Sequence, residues 1–543
     1  MAEPSERRSN RSRRPRIHFD DQIAQSSLPL KPHRAPKPSK KPSKKLPKPI
    51  AKPTTSTSEP AAEPRAIPIE DPTSESAAEP EAEGAAECDT EPTALDPVDE
   101  ICSQIEGLDI KARKKAKEVE MTRLTKLSFQ RVLDEIKPLE SVEFEPFLPG
   151  DHREPKANIP PTTGLTDPLA LLDLFISPQM YITIAENTNL YATAQNATTI
   201  RSSTNSRYWY PTNEHEIRVL FGIFYYMGVH REPNFRIYWE TPRLNGPIHA
   251  ISKHMSLNRF ENLRRYLHIS PPTTTLPPEP DMESEDPSDA EIQSWWSKLE
   301  PMLSSFRTAC QQCLIPGTEV AIDEIMVRFY GRSSDTCKMP NKPIKQGYKI
   351  FALADNGYVW HFQLSSRQHG IAELRKVDEL TPTGSMVLQM ARLLPKFPNA
   401  HYVLYLDNYF TSIPLFSILR KENIGAAGTT RPTGIDFPAL LTVLRKKWST
   451  KLDWGTVVAD IVDNVLCIGW QDNNFVLGLS TIHTVHKASS WVESKWHRLS
   501  KSSTNASITR KVFGDMPSMN LDIPIFIDDY NHHMNSVDLA NQH

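Results

Sequence analysis

Glu319–Tyr330 (EVAIDEIMVRFY), Tyr348–Ser365 (YKIFALADNGYVWHFQLS) and His401–Ser412 (HYVLYLDNYFTS) decide the fold. The first alternates as a strand does, sending successive side chains to opposite faces. The second reads as two strands joined at Asp355-Asn356-Gly357, because Asn-Gly takes the left-handed conformations that a tight hairpin turn needs. The third opens with a short apolar strand, His401–Leu406, that stops at Asp407. A helix fits Gly384–Leu394 (GSMVLQMARLL), and another follows over Ile413–Lys421, with Ser412 as N-cap and Pro414 in the first turn.

An antiparallel meander, a helix, a strand and a helix is the element order of an RNase H-like sheet. The expected fold class is therefore α/β. Upstream, Asp167–Ile176, Glu214–Val229, Asn258–Leu267 and a stretch around Ser294–Cys313 carry helical periodicity, so a helical region over 167–314 is expected to precede the sheet. The Pro-rich, acidic stretch 271–291 interrupts it as a surface insertion. Order is expected to begin near Asp167, after prolines at 154–161. Residues 101–166 read as a helical and linker segment, with Lys111–Lys117 (KARKKAK) on a solvent face.

The chain has 543 residues, room for two to four domains, yet 38% are hydrophobic and Pro outnumbers Gly 47 to 20, so part of it lacks a packed core. The net charge of -3 hides an asymmetry: +11 over residues 1–53, -13 over 54–100 and -1 over the rest. Bulk charge on the folded part thus carries no argument for nucleic-acid binding. Residues 1–100 read as a disordered tail, basic and then acidic. Its runs Arg11–Arg16 and Lys31–Lys52 suit a nuclear import signal or a phosphate-binding arm, or are simply solvated. The longest apolar run, Val219–Val229, is shorter than the roughly 20 residues of a membrane-spanning helix. Six scattered cysteines form no disulfide framework. An intracellular protein with no membrane partner is expected.

Three carboxylates stand out by position. Asp323 lies inside the first strand among Ala321, Ile322, Ile325 and Val327, where a lone charge is costly to bury without a partner. Asp407 ends the apolar strand, and Asp538 falls in Tyr530–His543, a segment suited to a helix on the sheet. Magnesium and manganese prefer oxygen ligands, and two such ions hold the attacking and leaving oxygens of in-line phosphoryl transfer. The plainer reading has Asp407 capping the next helix, Asp323 paired with a cation such as Arg328, and Asp538 at the surface. Asp355 and Asp472 sit in turn contexts and Asp528 and Asp529 precede the last segment, so none of the four is a candidate.

Asp323-Glu324, Gly331-Arg332, Met339 to Lys349 (MPNKPIKQGYK) and Asp407 to Ser412 (DNYFTS) together resemble the piggyBac transposase family. The likeness continues through Gly428 to Arg431 (GTTR), Leu479 to Thr481 (LST), Tyr530-Asn531 and Val537-Asp538. Upstream it takes in Thr188-Asn189, Tyr191-Ala192, Met227-Gly228, Tyr238-Trp239, Met255-Ser256 and Asn258 to Phe260 (NRF). It covers about residues 167–543. The resemblance implies a DDE/D-type cut-and-paste DNA transposase whose RNase H-like core, 315–433 and 511–543, is interrupted by an insertion domain at 434–510. It implies Asp323, Asp407 and Asp538 as catalytic ligands of two Mg2+ or Mn2+ ions, with Asn541 offering a carbonyl oxygen. Strand cleavage at an element end, hairpin formation by the freed 3′ hydroxyl and insertion at TTAA would follow. Its partners would be double-stranded DNA and a second copy of the chain, in the nucleus.

Cations beside the expected site are candidate DNA contacts: Arg332, Lys338, Lys342, Lys345 and Lys349 in the loop after the first strand, and Lys495, Arg498, Lys501, Arg510 and Lys511 near Trp491, Trp496 and His497. Cations interleaved with aromatics suit phosphate contact with base stacking, although a hydrated surface has the same composition. The sequence departs from the family at Asn535-Ser536, where Gly-Gly is common, and at Asn541, where an Asp is common. It also stops five residues after Asp538, short of the family's Cys/His-rich zinc module, for which Cys310-Gln311-Gln312-Cys313 is no substitute. A truncated chain is therefore expected. The alternatives to an active transposase are an inactive transposon-derived DNA-binding or chromatin protein and a decaying element copy.

Overall fold

The computed structural model describes residues 97–161, 163–164, 166–200, 208–240, 248–272, 295–340, 342–486, 490–498 and 506–542. The charged tail up to residue 96, nearly all of the acidic insertion and Lys501 lie outside the described residues. Residues 105–543 form one compact unit.

Folding into that unit starts earlier than the expected Asp167. Helix α1 (Pro97–Lys126) is followed by α2 (Phe129–Asp134), capped by the Ser128 hydroxyl. Leu124 and Val132 are fully buried in the main core, and the Phe129 ring packs against Trp448 at 5.3 Å. The basic run in α1 is not wholly solvated either. Arg113 pairs with Asp436 at 2.9 Å, and Lys117 donates to the carbonyls of Pro432 and Gly434. Burial and nearby Lys446 lower the Lys117 ammonium to about 8.

Strand β1 (Lys156–Ala157) leads into the helices α3 (Pro168–Phe175), α4 (Pro178–Ala194), α5 (Glu214–Val229), α6 (Leu257–Tyr266) and α7 (Met302–Cys313). Asp167, Ser177, Asn213 and Ser256 cap the first four through side-chain oxygens. These helices share a core of their own around Tyr181, Ile184, Ile217, Leu220, Phe260 and Leu263. Helix α4 escapes sequence reading because its buried face includes Asn187 and Thr188, which hydrogen-bond the chain at 268–269 and interrupt the apolar period. Among the described residues no single helix is long and apolar enough to cross a bilayer.

After β2 (Leu314–Ile315), paired with β1, come β3 (Glu319–Arg328), β4 (Cys337–Lys338), β5 (Gln346–Asp355), β6 (Tyr358–Ser366), β7 (Gly370–Ile371), α8 (Pro382–Arg392), β8 (Val403–Leu406), α9 (Ile413–Lys421) and β9 (Gly425–Thr429). Asn356 (φ 44°) and Gly357 (φ 86°) take the left-handed conformations that the hairpin requires. The order β6-β5-β3-β8-β9, antiparallel up to β3 and parallel beyond, is an RNase H-like sheet.

The sheet does not stop there. Beyond the short helix α10 (Ala439–Val443), β10 (Val457–Val462), β11 (Val465–Gln471) and β12 (Phe475–Ser480) extend it antiparallel from β9. Segment 434–510 thus contributes three strands to the same sheet, and its last strand, β13 (Trp491–His497), pairs separately with β14 (Ser518–Pro524). Helices α11 (Ile525–His533) and α12 (Ser536–Gln542) complete the described chain. Alternation along the strands sorts the layers. Val320, Ile322, Phe351 and Leu353 face the core containing α8 and α9, whereas Ala321, Tyr405 and Ala427 share a second core with Phe526 and Ile527 of α11.

Candidate active site

Strands β3 and β8 run parallel with Ile322 opposite Leu406. The next residue on each is an aspartate, so Asp323 and Asp407 stand at the same level on adjoining strands. Asp538 arrives from the other direction, in the first turn of α12. A seven-residue helix is not self-supporting; here fully buried Val537 packs it against Ala352 and Ala354, over β3, β5 and β6.

Tyr530 on α11 reaches Asp407 through Thr429. Its hydroxyl lies 3.4 Å from Thr429 Oγ1, which donates to Asp407 Oδ1 at 3.3 Å. Burial raises the Tyr530 hydroxyl well above the usual phenol range, and the charges of Asp407, Asp323 and Asp538 add to it.

Each acid has its own environment. Asp323 is 8% exposed, and burial followed by the charge of Glu324 pushes its carboxyl up to about 7, against the field of Lys342 and a 2.7 Å bond from the Glu324 N–H. The cation beside it is thus Lys342, not Arg328. Asp407 is half-buried and does not cap α9; the Ser412 hydroxyl does so through the Leu415 N–H. Asp538 is exposed, as is Asn541 one turn later on α12. Asp355 and Asp472 hold structure together: the first accepts from the Gly317 N–H at 2.7 Å, the second from the indoles of Trp454 and Trp496. Asp529 pairs with His483 at 3.0 Å, and His483 in turn contacts Ser480 Oγ at 2.7 Å.

Lys342 is the group that sequence reading placed on DNA but that the structure turns inward. Its ammonium is 3.2 Å from Glu324 Oε1 and within electrostatic reach of Asp323 and Asp538. Burial works to lower its pKa, but the neighbouring carboxylates outweigh this and leave it raised. Glu324, whose other oxygen Oε2 is buried without a hydrogen-bond partner, appears in the sequence as part of the Asp323-Glu324 motif but is given no role there. Among the described residues, no three His, Cys, Asp or Glu side chains are close enough together to hold an ion as they stand. The donors are nevertheless all carboxylate or amide oxygens, and the buried Glu324 Oε2 accepts no hydrogen bond, so their chemistry fits a hard divalent cation.

The other cations divide into two groups. Arg332 and Lys338 line an open cleft of about 760 Å3 together with Gln346 and Arg367, the last unmarked by any sequence motif. Lys345, Lys495 and Lys511 are exposed. By contrast, Lys349 lies over the rings of Phe351 (4.7 Å) and Tyr409 (4.3 Å), and Arg498 donates to the Gly514 carbonyl at 3.1 Å. Arg510 is half-buried. Trp496 does not stand ready for a base: its ring packs edge-on to Trp470 at 5.6 Å, and its indole N–H is bound to Asp472. Cys310 and Cys313 are free thiols, and burial pushes Cys310 up to about 12.

Comparison with known proteins bears on this arrangement. Residues 167–543 match the family described as Transposase IS4. The human PiggyBac transposable element-derived protein 3 is 28% identical over 327 residues, which are 60% of this chain and 49% of that protein. The human PiggyBac transposable element-derived protein 2 is 26% identical over 265 residues, 49% of this chain and 40% of that protein. The chain thus spans half or less of the length of these relatives. A piggyBac transposase solved by cryo-electron microscopy in a synaptic complex with hairpin DNA superposes with a TM-score of 0.52 at 22% identity, covering 72% of this chain and 70% of that one. With residues 167–543 matched by the family and an RNase H-like sheet at its centre, this chain belongs to the piggyBac-type transposases.

Proposed function

We propose that the chain is a DDE/D-type DNA strand-cleaving and strand-transferring protein. The observation that carries this reading is the parallel register of β3 and β8, which puts Asp323 and Asp407 on adjoining strands, with the helix that bears Asp538 packed over β3. Asp323, Asp407 and Asp538, with the Asn541 carbonyl, would hold Mg2+ or Mn2+, two ions in full occupancy, which supplies Lewis-acid activation of a phosphodiester and its attacking oxygen. The protein's own part is positional. Parallel strands set Asp323 and Asp407 side by side, Thr429 donates to Asp407, and the docking of Val537 holds the helix that bears Asp538 over β3 and β5. Arg332, Lys338 and Arg367 offer a phosphate-binding cleft at the end of β5 and β6, and Lys345, Lys495 and Lys511 extend the cationic surface.

The substrate on this reading is double-stranded DNA, the ends of a transposable element flanked by TTAA. Two copies of the chain would bring two ends together, and the nucleus is where they would act. The test is nicking of TTAA-flanked duplex by the full chain in Mn2+. Nicking that disappears in Asp323→Ala while DNA binding remains supports the proposal. Nicking that persists in Asp323→Ala refutes it, and DNA binding without any nicking by the unaltered chain favours an inactive, transposon-derived DNA-binding protein.

A further inference from the structure

The loop between β4 and β5 places a lysine among the acids. Met339 N–H donates to the Lys345 carbonyl at 2.9 Å and Lys342 N–H to the Met339 carbonyl at 3.2 Å, which closes the loop, while Pro340 and Pro343 limit its conformations. Lys342 at its tip touches Glu324 Oε1, and its side chain is 38% exposed against 8% for Glu324. The Glu324 carboxylate, buried to that extent, leaves Oε2 with no partner. Adjacent to it in sequence is Asp323, itself buried, and the charges of Asp323 and Asp538 act on the same ammonium.

Carboxylates crowded into a poorly solvated site repel one another and need a cation nearby. We propose that Lys342 is a tethered counter-ion that meets this need in the metal-free protein, and that Glu324 is a fourth metal-facing carboxylate which Lys342 holds until a divalent ion takes its place. The inference rests on the reading of Asp323, Asp407 and Asp538 as a metal-holding set. The ammonium and the ion compete for the same negative charge, so metal entry requires Lys342 to draw back toward solvent, a move its exposure allows. The loop makes this reversible, because the lysine stays tethered beside the site when the ion leaves.

The experiment measures Mn2+ affinity of the full chain by electron paramagnetic resonance of the free ion, with thermal stability followed in EDTA. Lys342→Met keeps the aliphatic stem and removes the charge. It should bind Mn2+ about tenfold more tightly or better and melt at a lower temperature in EDTA. Unchanged or weaker affinity overturns the counter-ion. Adding Glu324→Gln to Lys342→Met should cancel the gain; affinity equal to that of Lys342→Met alone overturns the role of Glu324. Should Lys342→Met fail to fold, the double variant, which removes both members of the pair, is compared with Glu324→Gln alone. It should bind Mn2+ more tightly than Glu324→Gln, and equal affinity overturns the proposal. If the unaltered chain binds no Mn2+ at millimolar concentration, both the metal-holding reading and this inference fall. If it binds, Asp323→Asn does not, and Lys342→Met is unchanged, only this inference falls.

Discussion

Asp323 and Asp407 occupy equivalent positions on neighbouring parallel strands, each immediately after a paired, buried residue, Ile322 and Leu406. Parallel pairing of β3 and β8 is thus what turns two distant acids into neighbours. Whatever separates these strands at that level should separate the carboxylates.

Gly428 tests the spacing on the other side of β8. A Cβ there would lie 2.3 Å from the Leu406 carbonyl and 2.7 Å from Thr411 Cγ2, so any side chain pushes β9 away from β8 just before Asp407 and Thr429. Gly428→Ala should cost about 1–3 kcal/mol, read from urea unfolding, and should reduce nicking by more than the folded fraction accounts for. A variant as stable and active as the parent would contradict the close approach.

Tyr530→Phe removes only the hydroxyl that bonds Thr429. Stability should fall by about 1 kcal/mol, the net worth of an ordinary hydrogen bond. Because Thr429 also holds Asp407, cleavage should fall together with it, whereas DNA binding should not change.

Helix α12 is docked by Val537, packed against Ala352 and Ala354. Val537→Ala should cost about 2 kcal/mol and raise amide hydrogen exchange across 536–542 well before the sheet opens. Exchange unchanged in α12 would mean that something other than Val537 docks Asp538.

His361 provides a pH dependence away from the acids. Burial, with a smaller contribution from Arg307, lowers its imidazole to about 4, and Gln311 lies 3.1 Å from Nδ1. Between the unfolded value of about 6.5 and 4 the unfolded chain binds a proton that the folded chain does not. The contribution of neutral His361 to stability is therefore complete above pH 6.5 and is lost as pH falls toward 4, by on the order of 3 kcal/mol, against an opposite contribution from the raised Asp323 carboxyl. His361→Gln should flatten that slope in urea midpoints measured from pH 7 to 4.

The parts of the fold legible in the sequence are those with strong local signals. The Asn356-Gly357 hairpin, the Ser412 cap with Pro414, and the whole of α5 appear where their residues indicate. Strands β10–β12 were not legible: β11 is buried along its entire length, so it lacks the alternation that marks a half-exposed strand. The docking of α1 and α2 was missed for another reason, since whether a periodic helix joins a core depends on partners hundreds of residues away, here Trp448 and Asp436. In the site, the three acids stood out because each sits at an unusual place in its element. Tyr530, Thr429 and Glu324 did not, because their meaning lies in what faces them. Lys342 and Trp496 were recognised as residues but assigned to DNA, whereas tertiary contacts commit them to Glu324 and Trp470.

The decisive measurement on the three carboxylates is Mn2+-dependent cleavage of TTAA-flanked duplex by the full chain and by Asp323→Asn, Asp407→Asn and Asp538→Asn, with DNA binding measured in the same samples. If the three carboxylates act as one site, each substitution reduces cleavage by at least about a thousandfold while leaving binding within twofold of the parent. Cleavage that survives any one of the three would contradict the claim that these carboxylates act as one site.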